Sequence, residues 1–128
     1  MAHILIIDDD RQIRDVMKKW LTLGGHEVLT ATNGIEGIKI LNAFRFDLLI
    51  TDIIMPECDG LEVIMSLMKR AEKPRIIAMS GGAVNIDKEM ILAAAGKMKV
   101  DRVLTKPLDY NELSTVVNEL LQKPSAAT

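Results

Sequence analysis

Four short aliphatic runs in this chain end in groups that can do chemistry. Asp8, Asp9 and Asp10 follow Ile4-Leu5-Ile6-Ile7, and Asp52 follows Leu48-Leu49-Ile50-Thr51. Ser80 follows Ile76-Ile77-Ala78-Met79, and Lys106 follows Val103-Leu104-Thr105. If each run is a strand of a parallel sheet, right-handed crossovers set all the carboxyl ends along one edge, where open α/β sheets bind ligands. Asp8, Asp9, Asp52, Ser80 and Lys106 then converge on one rim. Carboxylates gathered at neutral pH repel one another, so such a cluster needs a cation or a proton. A hard divalent ion is the natural partner: Mg²⁺ takes oxygen ligands in octahedral geometry, commonly one or two carboxylates with waters and phosphate oxygens. An aspartate can attack phosphorus to give an acyl phosphate, and a protein assists such a transfer mainly by positioning and charge neutralisation. The metal and Lys106 would supply that neutralisation.

The elements that must place these groups are legible in the hydrophobic pattern. Short apolar runs alternate with longer stretches of helical period, five of each, which implies an α/β fold with a parallel sheet and helices on both faces. Strands are predicted over 3–7, 27–31, 47–51, 75–79 and 101–104, and most are continuously aliphatic, as strands buried on both faces are. The first helix carries Ile13, Val16, Met17, Trp20 and Leu21 on one face and ends at Gly24-Gly25. The second starts at Asn33 with Glu36 as a capping-box pair and buries Ile35, Ile38 and Leu41. Asp59 and Glu62 open a third, with Leu61, Ile64, Met65 and Met68 inward and Pro74 stopping it. A fourth falls near 86–97 after a Ser80-Gly81-Gly82 loop. The fifth is capped by Asp109, with Glu112 three residues on and Leu113, Val116, Val117, Leu120 and Leu121 as its stripe.

With 128 residues, 48% hydrophobic and 27% charged, the chain fits one globular domain over 1–123, and the residues from Pro124 to the end, 124–128, read as a flexible tail. A net charge of −2 with no long basic run argues against direct nucleic-acid binding. No segment approaches the roughly 20 apolar residues of a membrane helix. The single cysteine, Cys58, fits a reducing compartment, so a cytoplasmic location is the default expectation.

Each candidate competes with a plainer role. Asp10 directly precedes an apolar stripe and is expected to cap the first helix rather than to bind a ligand. Asp59 with Gly60 reads as a cap and turn. Ser80, beside glycines, has the commoner fate of a loop hydroxyl, and only its strand-end position promotes it. A lone lysine is usually a solvated charge, but Lys106 stands immediately after a buried strand and before Pro107, where a functional role is favoured. His3 and His26 have no convergent partners in the sequence, Cys58 has no neighbouring base, and the methionines fall mostly on core-facing helix positions.

Taken in order, Ile4-Leu5-Ile6-Ile7-Asp8-Asp9-Asp10, Leu49-Ile50-Thr51-Asp52-Ile53-Ile54-Met55-Pro56, Asp59-Gly60, Met79-Ser80-Gly81 and Leu104-Thr105-Lys106-Pro107 resemble the receiver domains of two-component response regulators, over nearly the whole chain. The resemblance implies a flavodoxin-like, doubly wound sheet in the order 2-1-3-4-5. It makes Asp52 the phospho-acceptor, with Asp8, Asp9, Asp52 and the backbone carbonyl of Ile54 as Mg²⁺ ligands. Ser80 takes the place of the hydroxyl that bonds the phosphoryl group, Lys106 contacts a phosphoryl oxygen, and Pro107 follows a cis peptide. The donor would be a phosphohistidine on a sensor histidine kinase or a phosphotransfer protein, and the domain would catalyse only its own phosphorylation and dephosphorylation. Its output partner would bind the face of the fourth predicted helix, fifth strand and fifth helix, on a monomer or weak dimer. Two positions depart from the family pattern. Val103 stands where an aromatic residue is frequent, and Lys99-Val100-Asp101 replaces Gly-Ala-Asp after a longer segment from Ser80. Valine cannot supply the swinging ring of the family's output face, and the longer segment points to altered partner choice with phosphorylation kept.

Other classes fit less well. A haloacid-dehalogenase-like phosphatase also uses a strand-end aspartate, Mg²⁺ and a lysine, but its nucleophile leads the chain in an Asp-x-Asp pattern. A receiver-like interaction module that is never phosphorylated would be expected to have lost one of the five groups. A flavodoxin-like cofactor binder would need a phosphate-cradling glycine loop after the first strand.

Overall fold

In a computed structural model of the chain, which describes residues 1–53, 60–80 and 100–122, the aliphatic runs form five parallel strands. They are β1 (His3–Ile7), β2 (Glu27–Ala31), β3 (Leu48–Asp52), β4 (Arg75–Ser80) and β5 (Arg102–Thr105), hydrogen-bonded in the order β2-β1-β3-β4-β5. Helices α1 (Arg11–Leu23), α2 (Gly34–Ala43), α3 (Gly60–Leu67) and α4 (Tyr110–Gln122) are described around them, α4 being the last of the five helices that the sequence predicts. The helix expected near 86–97, the glycines before it and the tail from Pro124 lie outside the described residues.

Strand side chains alternate between the two faces of a sheet, so each aliphatic run feeds two cores. Ile4, Ile6, Leu48, Ile50, Ile77 and Met79 pack with Met17 and Leu21 of α1 and Leu113, Val117 and Leu120 of α4. Leu5, Ile7, Leu49 and Ile76 pack on the other face with Leu41 of α2 and Val63, Ile64 and Leu67 of α3. Each such fully buried aliphatic side chain stabilises the fold by roughly 1.5–3 kcal/mol, and this double burial accounts for runs that do not alternate with polar residues.

Three helix starts form as their sequences predict, while Asp59, the expected cap of α3, lies outside the described residues. The Asp10 carboxylate accepts the Gln12 N–H at 2.9 Å, the Asn33 side chain accepts the Glu36 N–H at 2.8 Å, and Asp109 accepts the Glu112 N–H at 2.9 Å. These bonds satisfy donors that a helix leaves orphaned in its first turn. At the other end of α1, Gly24 caps the helix and Gly25 turns the chain at φ +92°, a conformation that favours glycine.

The helix faces differ from the expected ones. Val16, Ile35 and Met65 are exposed. Gly34 and Gly37 are buried, and Gly37 brings α2 close to β1, where a Cβ would overlap the Cδ1 of Ile7. The contact face of α2 is therefore Gly34, Gly37 and Leu41, which turns Ile35 to solvent. In α3 the buried residues are Gly60, Val63, Ile64 and Leu67, a stripe at three- and four-residue steps that turns Met65 outward and leaves Met68 half-buried; the side chain of Leu61 is outside the described part. This helix ends at Leu67, well before Pro74, which instead precedes β4. Strands β3, β4 and β5 each end one residue later than predicted, and β3 and β5 also start one residue later. Asp52 pairs with Met79 and Ser80 with Thr105, so both site residues belong to their strands rather than following them.

Candidate functional site

The strand order reverses at β1, which lies between β2 and β3. In open α/β sheets the crevice at such a switch point, outside the carboxyl ends of the strands, is where ligands bind. The chain leaves β1 through Asp8 and Asp9 and reaches Asp52 as the last residue of β3, so the topology alone gathers three acids there. One carboxylate oxygen from each of Asp8, Asp9 and Asp52 lies within 4.8 Å of the others. Asp8 is 0% exposed and Asp52 is also buried, whereas Asp9 faces solvent.

Asp8 is held in place by its own loop. Its N–H donates to the Ala31 carbonyl at 3.2 Å, its Oδ1 accepts the Asp10 N–H at 2.8 Å, and its carbonyl accepts the Arg14 guanidinium at 2.7 Å. Its Oδ2 is completely buried, with the Lys106 ammonium 2.8 Å away as its ion-pair partner. The same Nζ donates to Asp52 Oδ2 at 2.8 Å. Lys106 reaches this position because its own N–H donates to the Ser80 carbonyl at 2.9 Å, just past the end of the β4–β5 ladder, and a cis peptide to Pro107 follows. Its side chain is 15% exposed. Burial pulls the ammonium pKa down, but hydrogen bonds and charge from Asp52 and Asp8 outweigh burial and raise it above the ordinary 10.5.

The structure thus brings Asp8, Asp9, Asp52 and Lys106 together and ties buried Ser80 to Lys106 through the backbone. Ile54, the remaining expected ligand, lies outside the described residues. Asp10 caps α1 as expected, and its backbone N–H also orients Asp8. Arg14 was not singled out in the sequence, since an arginine in the first turns of an amphipathic helix ordinarily reads as a solvated charge. His3 does have acidic neighbours, Glu27 Oε2 at 2.9 Å and Asp47 Oδ2 at 3.8 Å, but at the opposite edge of the sheet and largely exposed, where ion pairs contribute little. His26 accepts the Ala2 N–H at Nδ1, 3.2 Å away.

Whether Mg²⁺ suits this site can be judged from the donors. All are carboxylate oxygens, the set that a hard cation prefers. Three carboxylates share the one Lys106 ammonium, and the negative charge left over is what a divalent cation would neutralise. The residues fit the ion.

Comparison with known proteins agrees with this geometry. The family model for the response regulator receiver domain matches residues 4–118. The DNA-binding transcriptional regulator NtrC of Azospirillum brasilense is 37% identical over 98% of this chain, and the transcriptional regulatory protein GlrR of Escherichia coli is 33% identical over 99% of it. The chain spans only 26% and 28% of the lengths of those two relatives. Among solved structures, the response regulator TrrA of Thermotoga maritima in complex with Mg²⁺-BeF is similar at a TM-score of 0.78 and 31% identity, covering 94% of this chain and 99% of that one. With the strand order, the acidic crevice and the family match all in agreement, the chain belongs to the response regulator receiver domains of two-component signalling.

Proposed function

We propose that Asp52 is the phospho-acceptor of this receiver and that residues 1–123 form the working domain. The observation that carries the reading is the Lys106 ammonium, 2.8 Å from both Asp8 and Asp52 at the rim where three carboxylates meet. The donor is a phosphohistidine of a sensor histidine kinase or phosphotransfer protein. An Asp52 carboxylate oxygen attacks phosphorus, the P–N bond breaks, and the histidine nitrogen keeps the electron pair and takes a proton from solvent. The product is an acyl phosphate on Asp52. Hydrolysis reverses the modification when water attacks the same phosphorus, so the chain assists only its own phosphorylation and dephosphorylation.

Asp8, Asp9, Asp52 and the carbonyl of Ile54 would hold Mg²⁺, which would supply charge neutralisation for the phosphoryl oxygens. Lys106 provides a fixed positive charge against a phosphoryl oxygen, and the Ser80 hydroxyl donates to another. Asp10 and Arg14 keep Asp8 in register. Modification biases the loops after β3 and β4 between two arrangements and so alters a protein-binding surface. We assign that surface to the segment after Ser80 together with β5 and α4, where Val103 packs with Ile53 and Ala78. A cytoplasmic location belongs to the same reading, supported by the single cysteine.

Intact-mass spectrometry after incubation with acetyl phosphate tests the assignment. The expected result is a single phosphate adduct on the wild type that disappears with EDTA and in Asp52→Ala. An adduct retained by folded Asp52→Ala overturns it.

A further inference from the structure

We propose that Thr51 and Gly60 are positioning residues for the acceptor: together they hold the main chain at Asp52 and thereby the place of its carboxylate. The proposal rests on the reading of Asp52 as the phospho-acceptor.

Thr51 is fully buried in a strand that is otherwise aliphatic up to Asp52. A valine would fill the same volume, and a buried hydroxyl is unfavourable unless it is hydrogen-bonded. The Thr51 hydroxyl donates to the Asp52 carbonyl at 3.0 Å. Gly60, the first residue of α3, lies against the other side of the same carbonyl. A Cβ at position 60 would overlap the Asp52 carbonyl oxygen and stand 2.9 Å from both the Asp52 carbonyl carbon and the Ile53 Cα. These are main-chain atoms, which cannot swing aside as the end of a side chain can. Gly60 also donates its N–H to the Ile53 carbonyl at 2.8 Å, while the Ile53 N–H donates to Met79 of β4 at 3.1 Å.

The peptide joining Asp52 to Ile53 is therefore gripped from its own strand, from β4 and from α3. A shift of that peptide would carry the main chain of Asp52 with it and move the carboxylate off Lys106 Nζ, now 2.8 Å away. Gly37 supplies the contrast. The three atoms nearest a Cβ there all belong to the side chain of Ile7, so its role is helix packing.

The test is the single-turnover rate of adduct formation from acetyl phosphate at saturating Mg²⁺, read by intact mass on full-length protein shown to be folded by circular dichroism. Thr51→Val is expected to react about fivefold to tenfold more slowly, the fold-change equivalent to one neutral hydrogen bond. Thr51→Ser, which keeps the hydroxyl, should return to within about twofold of the wild type. Gly60→Ala is expected to lose roughly 10²-fold, the scale of a misplacement near 1 Å at a reacting group. Gly37→Ala should react at the wild-type rate. A purely structural role would shift melting temperatures without moving the rate of the folded protein. Wild-type rates in Thr51→Val, or a Thr51→Ser variant as slow as Thr51→Val, would overturn the role of Thr51 whether or not Gly60→Ala folds. A folded Gly60→Ala that reacts normally would overturn the role of Gly60. A wild type that takes no adduct would instead remove the acceptor reading beneath both.

Discussion

Replacing Lys106 with methionine keeps the length and apolar stem of the side chain and deletes its charge. In EDTA the variant leaves three clustered carboxylates, two of them buried, with no ammonium between them. At 2.8 Å and an effective dielectric near 20, each ion pair amounts to about 6 kcal/mol of Coulomb attraction. The cost of stripping water from the ammonium offsets much of this, and losing one partner of a buried pair typically costs about 3–5 kcal/mol net. For a domain of 128 residues that corresponds to a fall in Tm of roughly 10–20 °C. Urea unfolding followed by far-UV circular dichroism measures it. Mg²⁺ should restore more stability to Lys106→Met than it adds to the wild type, because the metal no longer has an ammonium as neighbour. The folded-state pKa of Lys106 is raised, so its contribution is fully present below pH 10.5 and is lost as pH rises through the folded value. The gap between the two proteins should therefore stay level through neutral pH and close only in alkali. A variant as stable as the wild type in EDTA, or one gaining no more from Mg²⁺, would refute this electrostatic account.

Three further outcomes are expected. Gly37→Ala should destabilise by roughly 1–3 kcal/mol through overpacking against Ile7, and Ile7→Val, which removes the colliding Cδ1, should recover part of that loss; additive effects in the double mutant would contradict the contact. Asp10→Ala should cost about 1 kcal/mol as a lost cap while leaving Mg²⁺ affinity unchanged in a titration, since Asp8 is bonded by the backbone N–H of residue 10. Burial and the N-terminal ammonium lower the pKa of His26 from 6.5. The folded protein then binds fewer protons than the unfolded chain, so stability should fall as pH drops below about 6.5. His26→Gln should flatten that slope in melts across pH, and parallel slopes would argue against it.

The strands and the chemistry at their ends were readable because two-sided burial demands unbroken aliphatic runs, and the topology then delivers Asp8, Asp52, Ser80 and Lys106 to one edge. Caps at Asp10, Asn33 and Asp109 were readable because their bonds are local. The faces of α2 and α3 were not, because hydrophobic period weighs large side chains, whereas close approaches are made by Gly37 and Gly60. Arg14 on the Asp8 carbonyl and Thr51 on the Asp52 carbonyl escaped notice for a related reason. Each acts on a main-chain oxygen whose direction only the folded backbone defines.

The chain has one tryptophan and one tyrosine, and the fold sets Trp20 of α1 against Tyr110 of α4 with ring centroids 5.4 Å apart and planes inclined at 57°. Light absorbed by Tyr110 is handed to Trp20 across that gap, so ultraviolet emission from the unlabelled protein reports on a single seam between two helices. A change in that emission marks the parting of α1 from α4 and is nearly blind to the helices on the opposite face of the sheet. Spectroscopy of this chain thus comes with a built-in address.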